Sequence, residues 1–206
     1  MAKLRNTQEE AQRIINLIEL KENDIVVEFG SGTGEFSLMA SKYCKKVYAI
    51  DISKTMLNYA ERKAVQEDRR NIEYIQAGFL TYDHAGEPVN CIVTQLALHH
   101  LPDFWKVVVL SGMYRMLKPG GKLFISDIVF SFEPHNHTTY INNWIDEITR
   151  ITGESFRKEL ILHIKDEYST FSWLMEEMLR RAGFEIEIVK YPNNFHGVYV
   201  CSKPTC

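Results

Sequence analysis

The stretch Asp24 to Ser37, DIVVEFGSGTGEFS, runs an apolar strand into a glycine turn and then a helix-like segment. Turns of this kind commonly hold a nucleotide, because glycine lets backbone approach a ligand closely. Spacing sorts the candidates. A dinucleotide fingerprint reads G-x-G-x-x-G, whereas Gly30, Gly32 and Gly34 alternate here and Glu35 stands where the third glycine belongs. Glu28, near the end of the strand, would repel a pyrophosphate but suits a cationic or hydroxyl-bearing ligand. No Gly-Lys-Ser/Thr follows, so the P-loop is excluded as well. Asp51 closes the next apolar run about twenty residues on, where a carboxylate accepts from both ribose hydroxyls. Its alternative role is a turn residue ahead of a helix cap.

Short apolar runs alternate with helical ones on either side of this stretch. KVYAID, NIEYIQ, NCIVTQ and KLFISDIVF read as strands, separated by helices such as KTMLNYAERKAVQED, with Ser53 at its N-cap. Such alternation predicts a parallel sheet covered on both faces. KPGG (Lys118 to Gly121) reads as a turn before the fifth strand. The tail breaks the rhythm. Two helical stretches, Thr138 to Ile151 and Glu154 to Ile164, follow that strand and form a candidate lid within residues 131–168. A helix capped by Ser169 or Thr170 and closed by Gly183 comes next. EIEIVKYP and HGVYVCSK, joined by NNF, then predict an antiparallel hairpin.

One domain over 1–206 is expected, with an N-terminal helix inside 1–22 opened by Thr7 and Glu10 at capping-box spacing. A net charge of −3 gives no basic footprint for nucleic acid, so no DNA partner is expected. The polar N-terminus argues against a signal peptide, and no run is long enough to cross a membrane. Cys44, Cys91, Cys201 and Cys206 are scattered and read as reduced thiols of a cytoplasmic protein, although Cys201 and Cys206 are near enough in sequence to bridge.

The motifs VVEFGSGTG, VYAIDIS, LALHHLPD and MLKPGGKLFISD, followed by WLMEEMLRRAGFEIEIVKY, resemble a class I S-adenosylmethionine-dependent methyltransferase of the type 11, small-molecule kind. The resemblance implies a Rossmann-like, doubly wound, seven-stranded sheet, mostly parallel with the last strand antiparallel, and a helical lid inserted after strand five. It implies S-adenosyl-L-methionine as cofactor and S-adenosyl-L-homocysteine as product. Gly30, Ser31, Gly32 and Gly34 would let backbone approach the cofactor, and Glu28 would act on it, in part through water. Asp51 would hold the ribose, Ile52 would pack on the adenine, and the carbonyl of Gln95 or Leu96 would receive the ammonium. Many relatives carry an acid that accepts from the adenine amino group where this chain has Gly78; the amide of Phe79 would still reach the ring.

Methyl transfer from a sulfonium is an in-line displacement, and positioning alone supplies roughly 7–11 kcal/mol of such a barrier. A base is needed only where the acceptor must lose a proton. His99 and His100 are the candidates, against the alternative that HHLP is a structural loop. His135, Tyr140 and Trp144 are candidates for the acceptor pocket. His135, His137 and His163 match no metal-ligand spacing, so no metal is expected. The expected partner is a small-molecule methyl acceptor. RNA or protein methylation, and a non-catalytic cofactor-binding module, are the alternatives; the oligomeric state is left open.

Overall fold

The computed structural model describes residues 7–205. α1 (Thr7–Leu17) precedes β1 (Ile25–Phe29), α2 (Glu35–Ala40), β2 (Lys46–Asp51), α3 (Lys54–Gln66), β3 (Ile72–Gln76) and β4 (Val89–Gln95). A 3₁₀ turn at Leu98–His100 leads into α4 (Asp103–Met116) and β5 (Leu117–Phe130). Then come α5 (His137–Thr152), α6 (Glu154–Asp166), the two-residue β6 (Thr170–Phe171), α7 (Ser172–Arg181), β7 (Glu185–Asn193) and β8 (His196–Ser202).

Seven strands lie in the order β3-β2-β1-β4-β5-β8-β7, and β6 pairs with β5 off that path. Every pair from β3 to β5 is parallel, while β8 runs antiparallel to both β5 and β7. The expected doubly wound sheet with a reversed last strand is therefore present. Strand order reverses beside β1, and open α/β sheets bind ligands in the crevice outside the carboxyl ends at such a point.

β1 explains why its sequence is apolar without alternation. Val27 and Phe29 pack into a layer with Leu110, Met113 and Leu179, whereas Val26 packs into the opposite layer with Ile14 and Phe36. Both faces of the sheet are covered. A third cluster, Ile128, Phe132, Trp144, Ile145, Leu160 and Phe195, seats the α5–α6 pair beyond the end of β5. Trp144 stacks on Phe195 with centroids 4.2 Å apart, and Phe132 stacks on Tyr140 at 4.8 Å. Such pairs contribute ~0.5–1.5 kcal/mol each beyond their buried area.

Two local expectations are corrected. KPGG is not a separate turn: β5 already begins at Leu117, which pairs with Val89, and the register shifts between Val89 and Cys91. The Gly120 N–H donates to the Lys203 carbonyl and the Lys203 N–H to Gly121, so the end of the chain supplies the ladder there. Neither Ser169 nor Thr170 caps α7. Thr170 is extended in β6 opposite Val129, and its hydroxyl donates to Asp103 Oδ2 at 3.1 Å. The residue ahead of α7, Phe171, makes no side-chain cap. Ser53 does cap α3, accepting from the Met56 N–H at 3.3 Å. Cys44, Cys91 and Cys201 are buried free thiols, and the bridge considered for Cys206 lies outside the described residues. Among those residues no helix is long and apolar enough to cross a membrane.

Gly183 closes α7 as expected. Its φ is +102°, its N–H donates to the Arg180 carbonyl, and the Phe184 N–H donates to Leu179, which together make a Schellman motif. A Cβ there would stand 2.9 Å from the Tyr114 ring. Gly183→Ala is expected to lower stability by about 1 kcal/mol or more, measured by urea unfolding.

Candidate functional site

The turn after β1 is built by three glycines with different duties. Gly30, Gly32 and Gly34 all have positive φ, at +70°, +51° and +75°. A Cβ on Gly30 would meet Ala97 at 2.6 Å, and one on Gly34 would meet Ala60 at 2.7 Å, so these two let the chain pack against itself. Gly32 alone faces open space, with nothing within 4 Å of its virtual Cβ. Asp51 fixes the turn from the end of β2. Its Oδ2 accepts the Gly32 N–H at 2.8 Å and its Oδ1 accepts the Ser53 N–H at 2.8 Å.

Two cavities flank this turn. The larger, about 640 Å³, is walled by Gly32, Asp51, Ile52, Gly78, Phe79 and His100. Ile52 stands in it 75% exposed, an aliphatic face without a protein partner large enough to cover it. A Cβ on Gly78 would come 3.1 Å from Ile52, and the Gly78 N–H donates to Thr81 Oγ1 at 2.8 Å. Asp83 does not replace the missing acid, since it lines a different cavity beside His84 and Arg115. The smaller cavity, about 190 Å³, holds Glu28, Ser31, Glu35 and Gln95. The Ser31 hydroxyl is buried and has no hydrogen-bond partner. Leu96, at φ +49°, turns the chain between the two cavities, a conformation that costs a non-glycine residue energy and often marks a functional turn.

Glu28 sits under the turn in full burial. Its Oε2 accepts the Ser37 N–H at 3.1 Å and the Ser37 hydroxyl. Desolvation outweighs these bonds and pushes its pKa up to about 8, with Asp51 and Glu35 adding repulsion.

The two histidines of HHLP have separate environments. His99 is 4% exposed; Asp127 Oδ1 takes its Nδ1–H, and Glu167 Oε2 lies 3.0 Å from its Nε2. Asp127 is itself fixed by N–H groups of Leu98 at 2.7 Å and Ile128 at 2.7 Å. His100 is 59% exposed, borders the larger cavity, and has Nδ1 3.7 Å from Glu167 Oε1. His163, one turn before Glu167 on α6, pairs with the same carboxylate, and burial lowers its pKa. Sequence reasoning missed Glu167, which had no motif around it; its i, i+4 relation to His163 was the one available signal.

The lid candidates are not brought to the cleft. His135 is on an exposed 3₁₀ turn at Pro134–Asn136, while Tyr140 and Trp144 belong to the stacked cluster that seats the lid.

Residues 26–121 match the methyltransferase domain family. Over that span, a little under half of the chain, the protein is similar to methyltransferase domains, and S-adenosylmethionine is the cofactor that its motifs lead one to expect. The chain is similar to an uncharacterized methyltransferase of Geobacillus kaustophilus, 31% identical over 118 residues, which are 57% of this chain and 53% of that protein. The match thus spans about half the length of that relative. A demethylmenaquinone methyltransferase of Lactococcus lactis is 24% identical over 165 residues, 77% of this chain and 65% of the relative. In fold, the chain is similar to a SAM-dependent methyltransferase from Aquifex aeolicus, with TM-score 0.65 and 23% identity over 94% of this chain and 89% of that one.

The residues present fit that cofactor. The open space at Gly32, the unpartnered Ser31 hydroxyl, the exposed Ile52 face and the two Asp51 oxygens are complementary to a hydroxyl-rich ligand with one flat apolar ring. Asp51→Ala and Gly32→Val are each expected to weaken S-adenosylmethionine binding ~10–100-fold by calorimetry, the worth of charge-assisted hydrogen bonds and close approach. Unchanged affinity in both would remove the assignment.

Glu28 supplies a pH test. Its folded pKa of about 8 lies above the ordinary 4.5, so the folded state binds the extra proton and loses stability as pH rises through that window. A cationic ligand in the adjoining cavity favours the ionised form. Binding of S-adenosylmethionine just below pH ~8 is therefore expected to release protons, read by calorimetry in buffers of different ionisation enthalpy, and Glu28→Gln is expected to abolish the release.

Proposed function

We propose that the protein transfers a methyl group from S-adenosylmethionine to a small organic acceptor bound between the large cleft and the α5–α6 lid. The observation that carries this reading is the position of His100. It is an exposed imidazole at the edge of a mainly apolar cavity of about 640 Å³, on the loop after β4 and within 4 Å of a carboxylate from the end of the lid. An apolar enclosure with a few convergent polar groups is the usual form of a small-molecule site. The relatives named as demethylmenaquinone methyltransferases support the same substrate class, and the net charge of −3 favours it over a polyanionic substrate.

Gly32, Asp51 and Ile52 would hold the donor at the carboxyl ends of β1 and β2, and Glu28 would set the charge around its amino-acid end. S-adenosylmethionine supplies an activated methyl group whose C–S electron pair passes to sulfur, giving S-adenosylhomocysteine. The acceptor's lone pair forms the new bond to carbon. His100 would take the acceptor's proton, and His99, fixed by Asp127, would hold the loop in place. The lid excludes water from the reacting atoms.

S-adenosylhomocysteine release should appear with one of a panel of small quinols, phenols, amines and thiols, with a demethylated menaquinol as the first arm. Labelling of RNA or protein without labelling of any small acceptor would overturn the substrate class. His100→Ala is expected to slow the single-turnover rate ~10²-fold or more, with cofactor affinity changed by less than about twofold. An unchanged rate would exclude His100 from the reaction.

A further inference from the structure

His99, His100 and Glu167 come from two segments far apart in sequence, and one ligand atom from each lies within 4.8 Å of the others. Neighbouring residues on a strand point to opposite faces. The 3₁₀ turn instead sets the two imidazoles side by side, with ring centroids 4.3 Å apart. Glu167, just past the C-terminal end of α6, meets both rings.

Three features distinguish this cluster from an ordinary ion pair. First, the distances suit a common centre. Ligands 2.0–2.1 Å from a tetrahedral ion stand about 3.3 Å apart, and the Glu167 carboxylate straddles the two rings, with Oε2 3.0 Å from His99 Nε2 and Oε1 3.7 Å from His100 Nδ1. Second, the supporting contacts are those of a metal site. Asp127 takes the Nδ1–H of His99, which leaves the Nε2 lone pair aimed at Glu167, and such a carboxylate–imidazole relay raises ligand basicity. Third, Glu167 Oε2 is buried and forms no directed hydrogen bond, although ring nitrogens of His99 and His163 both crowd it. Polar atoms gathered by distance but not satisfied by direction are suited to a cation among them.

We propose that His99, His100 and Glu167 form a binding site for one divalent first-row transition-metal ion, with Asp127 orienting His99 and His163 orienting Glu167. Two imidazoles and a carboxylate suit ions of the zinc, cobalt or iron(II) kind better than magnesium or calcium. The loop HHLP and the end of the lid would then be joined through the ion. His100 also borders the cofactor cleft. On the methyl-transfer reading, an ion held here would acidify a bound acceptor, and the base role proposed for His100 applies to the ion-free protein.

The test is ion binding itself, which needs neither donor nor acceptor. Chelator-treated full-length protein is titrated with zinc, and with cobalt for its visible absorption. One ion per chain is expected, with ligand-field bands in the cobalt form. Asp127→Asn is expected to weaken uptake ~10–100-fold, and the loss of a direct ligand in His100→Ala or Glu167→Gln at least as much. His137→Ala, an exposed histidine outside the cluster, should bind as the unaltered protein does. Circular dichroism checks the fold, and His100→Ala decides the matter if Asp127→Asn fails to fold, because His100 is exposed. Absence of stoichiometric uptake, or uptake equal in the unaltered protein, His100→Ala and Glu167→Gln, overturns the site. Uptake without methyl transfer to any acceptor leaves the ion site standing and removes only its link to that reaction.

Discussion

The cleft depends on one carboxylate. Asp51 takes the N–H of Gly32 with one oxygen and the N–H of Ser53 with the other, so the turn after β1 and the cap of α3 share an anchor at the end of β2. Both amides belong to chain ends that no regular ladder satisfies, and a buried amide without a partner costs ~1–3 kcal/mol. The parallel pairing of β1 with β2 brings Phe29 opposite Ile50 and so delivers the glycine turn to Asp51. From that junction the rest of the pocket follows: Gly32 faces outward, Ile52 is held in the open, and Gly30 allows Ala97 to close the far wall. The acid first considered as either a turn residue or a ligand-binding one is built into the turn and still presents its remaining lone pairs to the cavity.

Most of the architecture was legible because it rests on local periodicity. The buried strands read as apolar runs, the final hairpin was marked by its short connection, and both lid helices fall within two residues of their expected ends. The misreadings share a cause: each involved residues whose local preference was overruled by a distant partner. KPGG has turn composition, but the backbone around Lys203 supplies hydrogen bonds that keep it in the sheet. Thr170 is a good capping residue, yet pairing with Val129 and a bond to Asp103 hold it extended. A two-residue strand such as β6 has no periodicity to detect.

The site was legible in halves. Its glycines follow β1 directly and its acids lie within β1 and at the end of β2, so their spacing carried the information. The histidine cluster is different. His99 meets Asp127 because β4 and β5 are neighbours, and it meets Glu167 because the lid folds back over the end of β5. Neither relation leaves a spacing in the chain. The aromatic lid residues illustrate a related point: Tyr140 and Trp144 have the composition of a ligand pocket, and here one face of each stacks on Phe132 or Phe195 and fastens the lid.

Gly78 has a further consequence for donor selectivity. Ile52 Cγ2 stands 3.1 Å from its virtual Cβ, so a side chain at this position would make the residue expected to cover the nucleobase shift by a few tenths of an ångström. Restoring a carboxylate by a single exchange would thus gain one hydrogen-bond acceptor and disturb the stacking surface. With glycine there, no side chain at position 78 discriminates for or against substituents on the exocyclic nitrogen of the base. On the proposed donor site, selectivity for the base would therefore fall to the backbone around Phe79 and to the Ile52 face, and base-modified sulfonium donors are the compounds that would reveal it.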